Sequence, residues 1–191
     1  MSAIEVRGYM IGTALKYIDS GIRPDERKRA IELLGASNFE TLKTRAAIEW
    51  CPVSELSQVF TTVGNLETTD EKALTRLVDL GKFISTEASN TFLRLFMRLM
   101  TPERFAGRLP TLFKRDVSGD PHLTIDNLRS DEMVCSFRGV KGFNHVASVG
   151  IGWIAFALER MGKTVTGREI ANWSLQEPGP EVATVTVRWR N

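Results

Sequence analysis

The sequence predicts an α+β fold, a helical N-terminal part packed on a small twisted antiparallel sheet, and three observations carry that prediction. Apolar residues recur at helical offsets through roughly the first 115 positions; turn residues and period-two alternation follow Asp116; and one strongly apolar helix separates two pairs of alternating segments. The order helices, two strands, helix, two strands suits a small sheet covered by helices on one face. A chain of 191 residues fits a single domain, 1–191, with a helical portion of about 1–115 and a sheet-plus-helix portion of about 116–191. At that size a core needs no disulfide or structural metal.

The elements follow in order. Residues 9–18 form a short apolar-rich helix stopped by Asp19-Ser20-Gly21. Arg23-Pro24-Asp25-Glu26 opens a second, with proline near its first position and acids in its first turn, and Gly35 ends it. Asn38-Phe39-Glu40-Thr41 begins a third, Pro52 starts a fourth, and Thr68-Thr69-Asp70-Glu71 has the short polar residues and acids of a fifth. From there a long helical region runs towards Met100, with an interruption expected near Gly81. Within it, Ile84, Ala88, Phe92, Leu95, Phe96 and Leu99 recur at offsets of three and four and form one stripe. Thr101-Pro102-Glu103 caps a further short helix, and Leu109-Pro110-Thr111-Leu112-Phe113 marks the passage out of it.

Val117-Ser118-Gly119-Asp120-Pro121 is a turn cluster, and strands are expected over 122–126 and 133–140, with Met133, Cys135 and Phe137 on one face. A helix over about 144–161 ends at Gly162-Lys163. Two strands close the chain, over 165–175 and 183–190, the second with Val185, Val187 and Trp189 inward; Glu177-Pro178-Gly179-Pro180 is the hairpin loop between them.

Composition narrows function mainly by exclusion. A net charge of +2 announces neither nucleic-acid nor membrane-surface binding. Two isolated cysteines, Cys51 and Cys135, argue against a disulfide framework and fit a reducing compartment; the N-terminus carries neither an export nor a myristoylation signal, so the cytoplasm is the expected location. The longest nearly apolar stretch, 146–158, is shorter than a membrane span. With only His122 and His145 as imidazoles, and neither HExxH nor CxxC, no metal or cofactor is expected. Gly162-Lys163-Thr164 follows a helix where a phosphate-binding loop would precede one, so a helix end explains it. Gly150 and Gly152 inside the apolar helix need a reason: close packing against another backbone, or a ligand wedged against the helix. Neither cysteine has a histidine near it in sequence, and no constellation of nucleophile, acid and base is present, so catalysis is not expected.

One local charge excess stands out. Arg94, Arg98, Arg104, Arg108, Lys114 and Arg115 are opposed between them only by Glu103, a local excess of five. This is a candidate docking surface for an acidic protein partner, an anionic lipid or a phosphate-bearing ligand, set against an ordinary solvated face with arginine stems over apolar neighbours.

Leu80-Gly81-Lys82, Leu109-Pro110-Thr111-Leu112-Phe113, Arg138-Gly139-Val140-Lys141-Gly142, Gly152-Trp153 and the closing Val185-Thr186-Val187-Arg188-Trp189 resemble the ligand-binding superfamily of 4-vinyl reductase domains, haem-based nitric-oxide sensors and Golgi-transport TRAPP subunits. With its early Val6-Arg7-Gly8 and Trp50-Cys51-Pro52-Val53-Ser54, the whole chain is similar to a family of proteins of about this length in myxobacteria and their relatives. The resemblance implies a hydrophobic pocket used for sensing or protein assembly. The nitric-oxide sensors hold haem through a proximal histidine and a Tyr-x-Ser-x-Arg motif; that motif does not occur in this sequence. The expectation is therefore a non-enzymatic regulatory or adaptor domain, self-associating as a homodimer, that binds a protein partner or a small apolar ligand. Its alternative is a haem- or metal-dependent sensor with His145 as axial ligand. Candidate pocket residues are Phe92, Leu95, Phe96, Leu99, Cys135, Phe137, Trp153 and Phe156, each also a good core residue.

Overall fold

The computed structural model describes residues 3–89, 97–171, 173–175 and 180–191. The chain opens with β1 (Glu5–Arg7), which pairs antiparallel with β2 (Trp50–Pro52) so that Val6 faces Cys51. Helix α1 (Gly8–Lys16) continues into a π-helical turn at Tyr17–Gly21. In α2 (Pro24–Leu34) proline occupies the first turn and the Glu26 carboxylate accepts from the Arg23 amide at 3.2 Å, satisfying one of the orphan donors of a helix start. Gly35, at φ +83°, turns the chain directly into α3 (Ala36–Lys43). Helix α4 (Val53–Gly64) follows Pro52, and α5 (Asp70–Ala88) begins where Thr69 accepts from the Lys72 amide.

The second half alternates as expected. Helix α6 (Pro102–Asp116) leads to β3 (His122–Leu128) and β4 (Glu132–Arg138); α7 (Val146–Arg160) then separates these from β5 (Thr164–Ile170) and β6 (Val182–Arg190). The strands form one antiparallel sheet in the order β3-β4-β6-β5, with Cys135 opposite Val185 and Phe137 opposite Ala183. Met133, Cys135, Phe137, Val185, Val187 and Trp189 are buried, and α7 packs on β5 and β6. The other face is polar: Arg188 pairs with Glu132 at 2.8 Å and Glu169 at 2.6 Å, and Ser136 bridges Asp126 and Thr184. The fold is thus α+β, helices against an antiparallel sheet.

Three expectations are corrected. The helix expected to reach Met100 stops at Ala88: Ser89 is extended (φ −90°, ψ 112°) and its hydroxyl donates to the Ser85 carbonyl, a local bond that competes with helix continuation. Gly81 does not interrupt α5, which runs through it. Nor does Pro110 end α6; the helix continues to Asp116, held by Leu109 and Phe113, both buried. The hairpin loop, apart from Pro180, lies outside the described residues.

Helices α5 and α7 run side by side and touch through their glycines. A Cβ at Gly81 would stand 2.0 Å from the Val149 carbonyl oxygen, and one at Gly152 would stand 2.0 Å from that of Val78. The bare backbones therefore meet where any side chain would collide, so Gly152 serves packing.

Candidate functional site: an apolar cavity with a charged mouth

Beyond that glycine crossing, α5 and α7 enclose a cavity of about 170 Å³. Ile84, Ser85 and Ala88 of α5 line it opposite Val146, Val149, Gly150 and Trp153 of α7. Tyr9 and Met10 of α1, Phe60 of α4, Met97, Leu112 and Phe113 of α6, Phe137 of β4 and Phe143 add to the wall. The aromatic groups brace one another: Phe113 meets Phe137 edge-to-face at 5.6 Å between centroids, and Phe60 stacks on Phe143 at 6.2 Å. Gly150 belongs to this wall; a Cβ there would reach the Phe137 ring at 2.5 Å.

Polar groups gather at one end. The hydroxyl of Ser85 donates to the Gly81 carbonyl and that of Ser89 to the Ser85 carbonyl, so both are committed to their own helix. What remains is Tyr9, Arg115 and Asp116. Arg115 forks onto Asp116 at 3.0 and 2.9 Å, and the half-buried Tyr9 phenol interacts with both. Burial first, and the Asp116 carboxylate second, raise the Tyr9 pKa above its ordinary value, so the phenol is neutral and keeps its proton. The same three residues, with Ala88, continue into an open groove lined by Arg7, Ala47 and Ile48.

Of the pocket residues expected from sequence, Phe137 and Trp153 line the cavity. Cys135 and Phe156 are buried elsewhere, Cys135 in the sheet interior with its thiol pushed up to about 12 by burial, and Phe156 beneath the Arg160 guanidinium. Leu99 is corrected outright: it lies beyond the end of α5 and is 76% exposed. Phe92, Leu95 and Phe96 lie outside the described residues. Sequence reasoning missed Tyr9, Met10, Ile84, Leu112 and Phe113, because an apolar helical stripe has the same pattern whether it packs or lines a void.

The basic stretch divides. Arg94 lies outside the described residues; Arg98 is exposed just before α6. Arg104, Arg108 and Arg115 fall on one exposed stripe of α6, and Lys114, also exposed, donates to the Gly119 carbonyl at 2.7 Å. Among its described members, Arg115 alone reaches the cavity.

All histidines and cysteines of the chain are among the described residues, and none lines the cavity. His122 is exposed, its Nδ1 3.1 Å from the Asp120 carbonyl oxygen. His145 is buried at the start of α7 with φ +60°, its ring edge-on to Trp173 at 6.0 Å between centroids. Burial lowers its pKa to about 4, so the ring is neutral. It is not placed as an axial ligand to anything in the cavity. Among the described residues no group of three or more His, Cys, Asp or Glu side chains is disposed to hold a metal ion, and no helix is long and apolar enough to cross a membrane.

No family model matches the chain, and no curated protein matches it. Solved structures do. An Fe(II) unliganded H-NOX protein from K. algicida matches with TM-score 0.64 at 11% identity, over 97% of each chain. A structure from a study of haem distortion in the H-NOX family matches with TM-score 0.61 at 14% identity, over 97% of this chain and 95% of that one. Another, from work on the molecular mechanism of H-NOX activation, matches with TM-score 0.54 at 13% identity, over 97% of each chain. These likenesses establish the fold, that of the haem nitric oxide/oxygen binding domains, over nearly the full chain.

Proposed function

We propose that this chain is a sensor-type ligand-binding domain that uses the H-NOX fold to hold a small apolar ligand, without iron. The observation that carries the reading is the cavity between α5 and α7, apolar on every side but one. The fold likeness supports a sensor over the adaptor role that the sequence also allowed. Under the adaptor reading, a protein partner would use the exposed basic stripe of α6.

Haem is the second reading, favoured by the haem-binding neighbours. The residues present do not fit it. Haem iron in proteins is held by histidine, cysteine thiolate, methionine paired with histidine, or tyrosine. The cavity offers Met10 and Met97 with no imidazole, and Tyr9, whose raised pKa and contact with Asp116 oppose a phenolate. Its volume is close to that of an engineered cavity of about 150 Å³ that admits benzene, a fraction of a porphyrin. We read the site as one that binds and does not catalyse: a neutral phenol and an ion pair supply no nucleophile with its base.

Two measurements test this. Titration with toluene, followed by calorimetry, should show saturable one-to-one binding that is abolished when the void is filled by Val149→Phe. Haem added to the purified protein should give the absorption spectrum of free haem. A sharp Soret band from stoichiometric, ligated haem would overturn the reading in favour of the haem sensor.

A further inference from the structure

The mouth of the cavity carries more charge than a purely apolar ligand would use. Two guanidinium groups, Arg115 and Arg7, flank it, and one carboxylate, Asp116, opposes them. Asp116 takes the Nε and Nη2 donors of Arg115, which leaves that guanidinium with further N–H groups, its side chain 60% exposed. Arg7 stacks at 3.9 Å over the Trp50 ring and donates to the Ile48 carbonyl at 2.7 Å. Among the described residues no carboxylate stands within ion-pairing distance of it, so one positive charge at the mouth is uncompensated. Tyr9 stands between the apolar interior and this charge, its phenol hydrogen-bonded to Asp116 and Arg115.

We propose that the ligand is a small carboxylic acid: a benzene-sized apolar body inside the cavity, joined by a short tether to a carboxylate that Arg115 and Arg7 receive at the mouth. The proposal rests on the small-ligand reading of the cavity and adds the head group. Each half has its own physical reason. An apolar body of this size fills a void of about 170 Å³ and gains contacts that the wall now lacks. A carboxylate matches the planar fork of a guanidinium and supplies the negative charge the mouth needs. An alcohol head would find the same hydrogen bonds without that charge, so the acid is preferred.

Calorimetric titration of the full chain with 3-phenylpropanoate, 3-phenylpropan-1-ol and toluene tests it. The expected result is that the acid binds at least tenfold more tightly than the alcohol, with an advantage that shrinks as salt is added. In Arg115→Gln and in Arg7→Gln the acid should fall to within about threefold of the alcohol, with toluene still bound by Arg7→Gln, whose side chain lies outside the cavity wall. Using two arginine variants guards against one of them disturbing the fold, and retained toluene binding reports an intact cavity. Equal binding of acid and alcohol by the unaltered protein overturns the head-group assignment and leaves the cavity reading standing. Toluene binding with neither tethered compound bound has the same meaning. Failure of all three to bind removes the small-ligand reading as well.

Discussion

Two stretches of one helix pair do opposite things. Where α5 and α7 cross at Gly81 and Gly152, their backbones touch and no atom can be added; further along, towards Ile84 on α5 and Val146 on α7, the same two helices line a void. Both regions are lined by ordinary core residues, and both are buried. The difference lies in what stands at the contact: glycines bring bare backbone against bare backbone, while the side chains of Ile84, Val149 and Trp153 line the void. A single added carbon should therefore have opposite consequences at two positions three residues apart on α7.

The largest effect is expected at the crossing. In an open helix interior, alanine in place of glycine stabilises by roughly 0.5–1 kcal/mol. At Gly152 the new carbon would stand 2.0 Å from the Val78 carbonyl oxygen and 2.9 Å from the Gly81 Cα, atoms that move only with the backbone. Overpacking of this kind costs about 1–3 kcal/mol, at times more, and Gly152→Ala should lose about 3 kcal/mol in urea unfolding. Gly12→Ala, where nothing lies within 4 Å of the added carbon, is the matched control and should gain a few tenths to about 1 kcal/mol. Equal behaviour of the two variants would show that the crossing is not tight.

How much of this contrast is legible in the sequence differs between its halves. The strands of the sheet announce themselves, since Cys135, Phe137, Val185 and Val187 alternate with polar residues and the alternation survives any choice of neighbours. β1 and β2 do not, because three residues are too few to establish a period. The glycines at 150 and 152 are visible as anomalies, but their division of labour is not: whether a bare backbone faces a carbonyl or an aromatic ring depends on residues far away in the chain. Arg115 stands out by its charge and Trp153 by its bulk, and only folding shows that they share one cavity. Leu99 fails for a plain reason: the stripe extends past Ser89, where α5 has already ended, and helical offsets carry no meaning across a break.

The next effect concerns the open end of α7, where His145 starts the helix beside Val146 of the cavity wall. Its pKa falls from 6.5 to about 4 because burial disfavours the charged ring. The unfolded chain thus takes up a proton as pH drops through about 6.5 while the native protein does not, until about pH 4. Stability is fully present above about pH 6.5 and falls progressively as pH drops below it, by about 3 kcal/mol in all once pH is below about 4. His145→Asn keeps a residue type that tolerates φ +60° and has no proton to gain. Urea midpoints at about pH 7 and about pH 4.5 should separate for the unaltered protein more than for the variant. Parallel losses would show that the histidine is not the titrating group.

The smallest expected effect is the most telling, because it asks whether the void is real. Val149→Ile adds one carbon on α7, three residues before Gly152, but aims it at the cavity. A methylene that enters a void gains its transfer free energy, roughly 0.8 kcal/mol, with no neighbour to displace. The variant should therefore be as stable as the original protein or up to about 1 kcal/mol more so, and should bind toluene several-fold more weakly, since the added carbon and the ligand compete for the same volume. Stability and affinity would then move in opposite directions, which neither a packed core nor a damaged fold produces. A loss of stability comparable with that of Gly152→Ala would mean that the open end is as full as the crossing, and the distinction between the two ends of the helix pair would disappear.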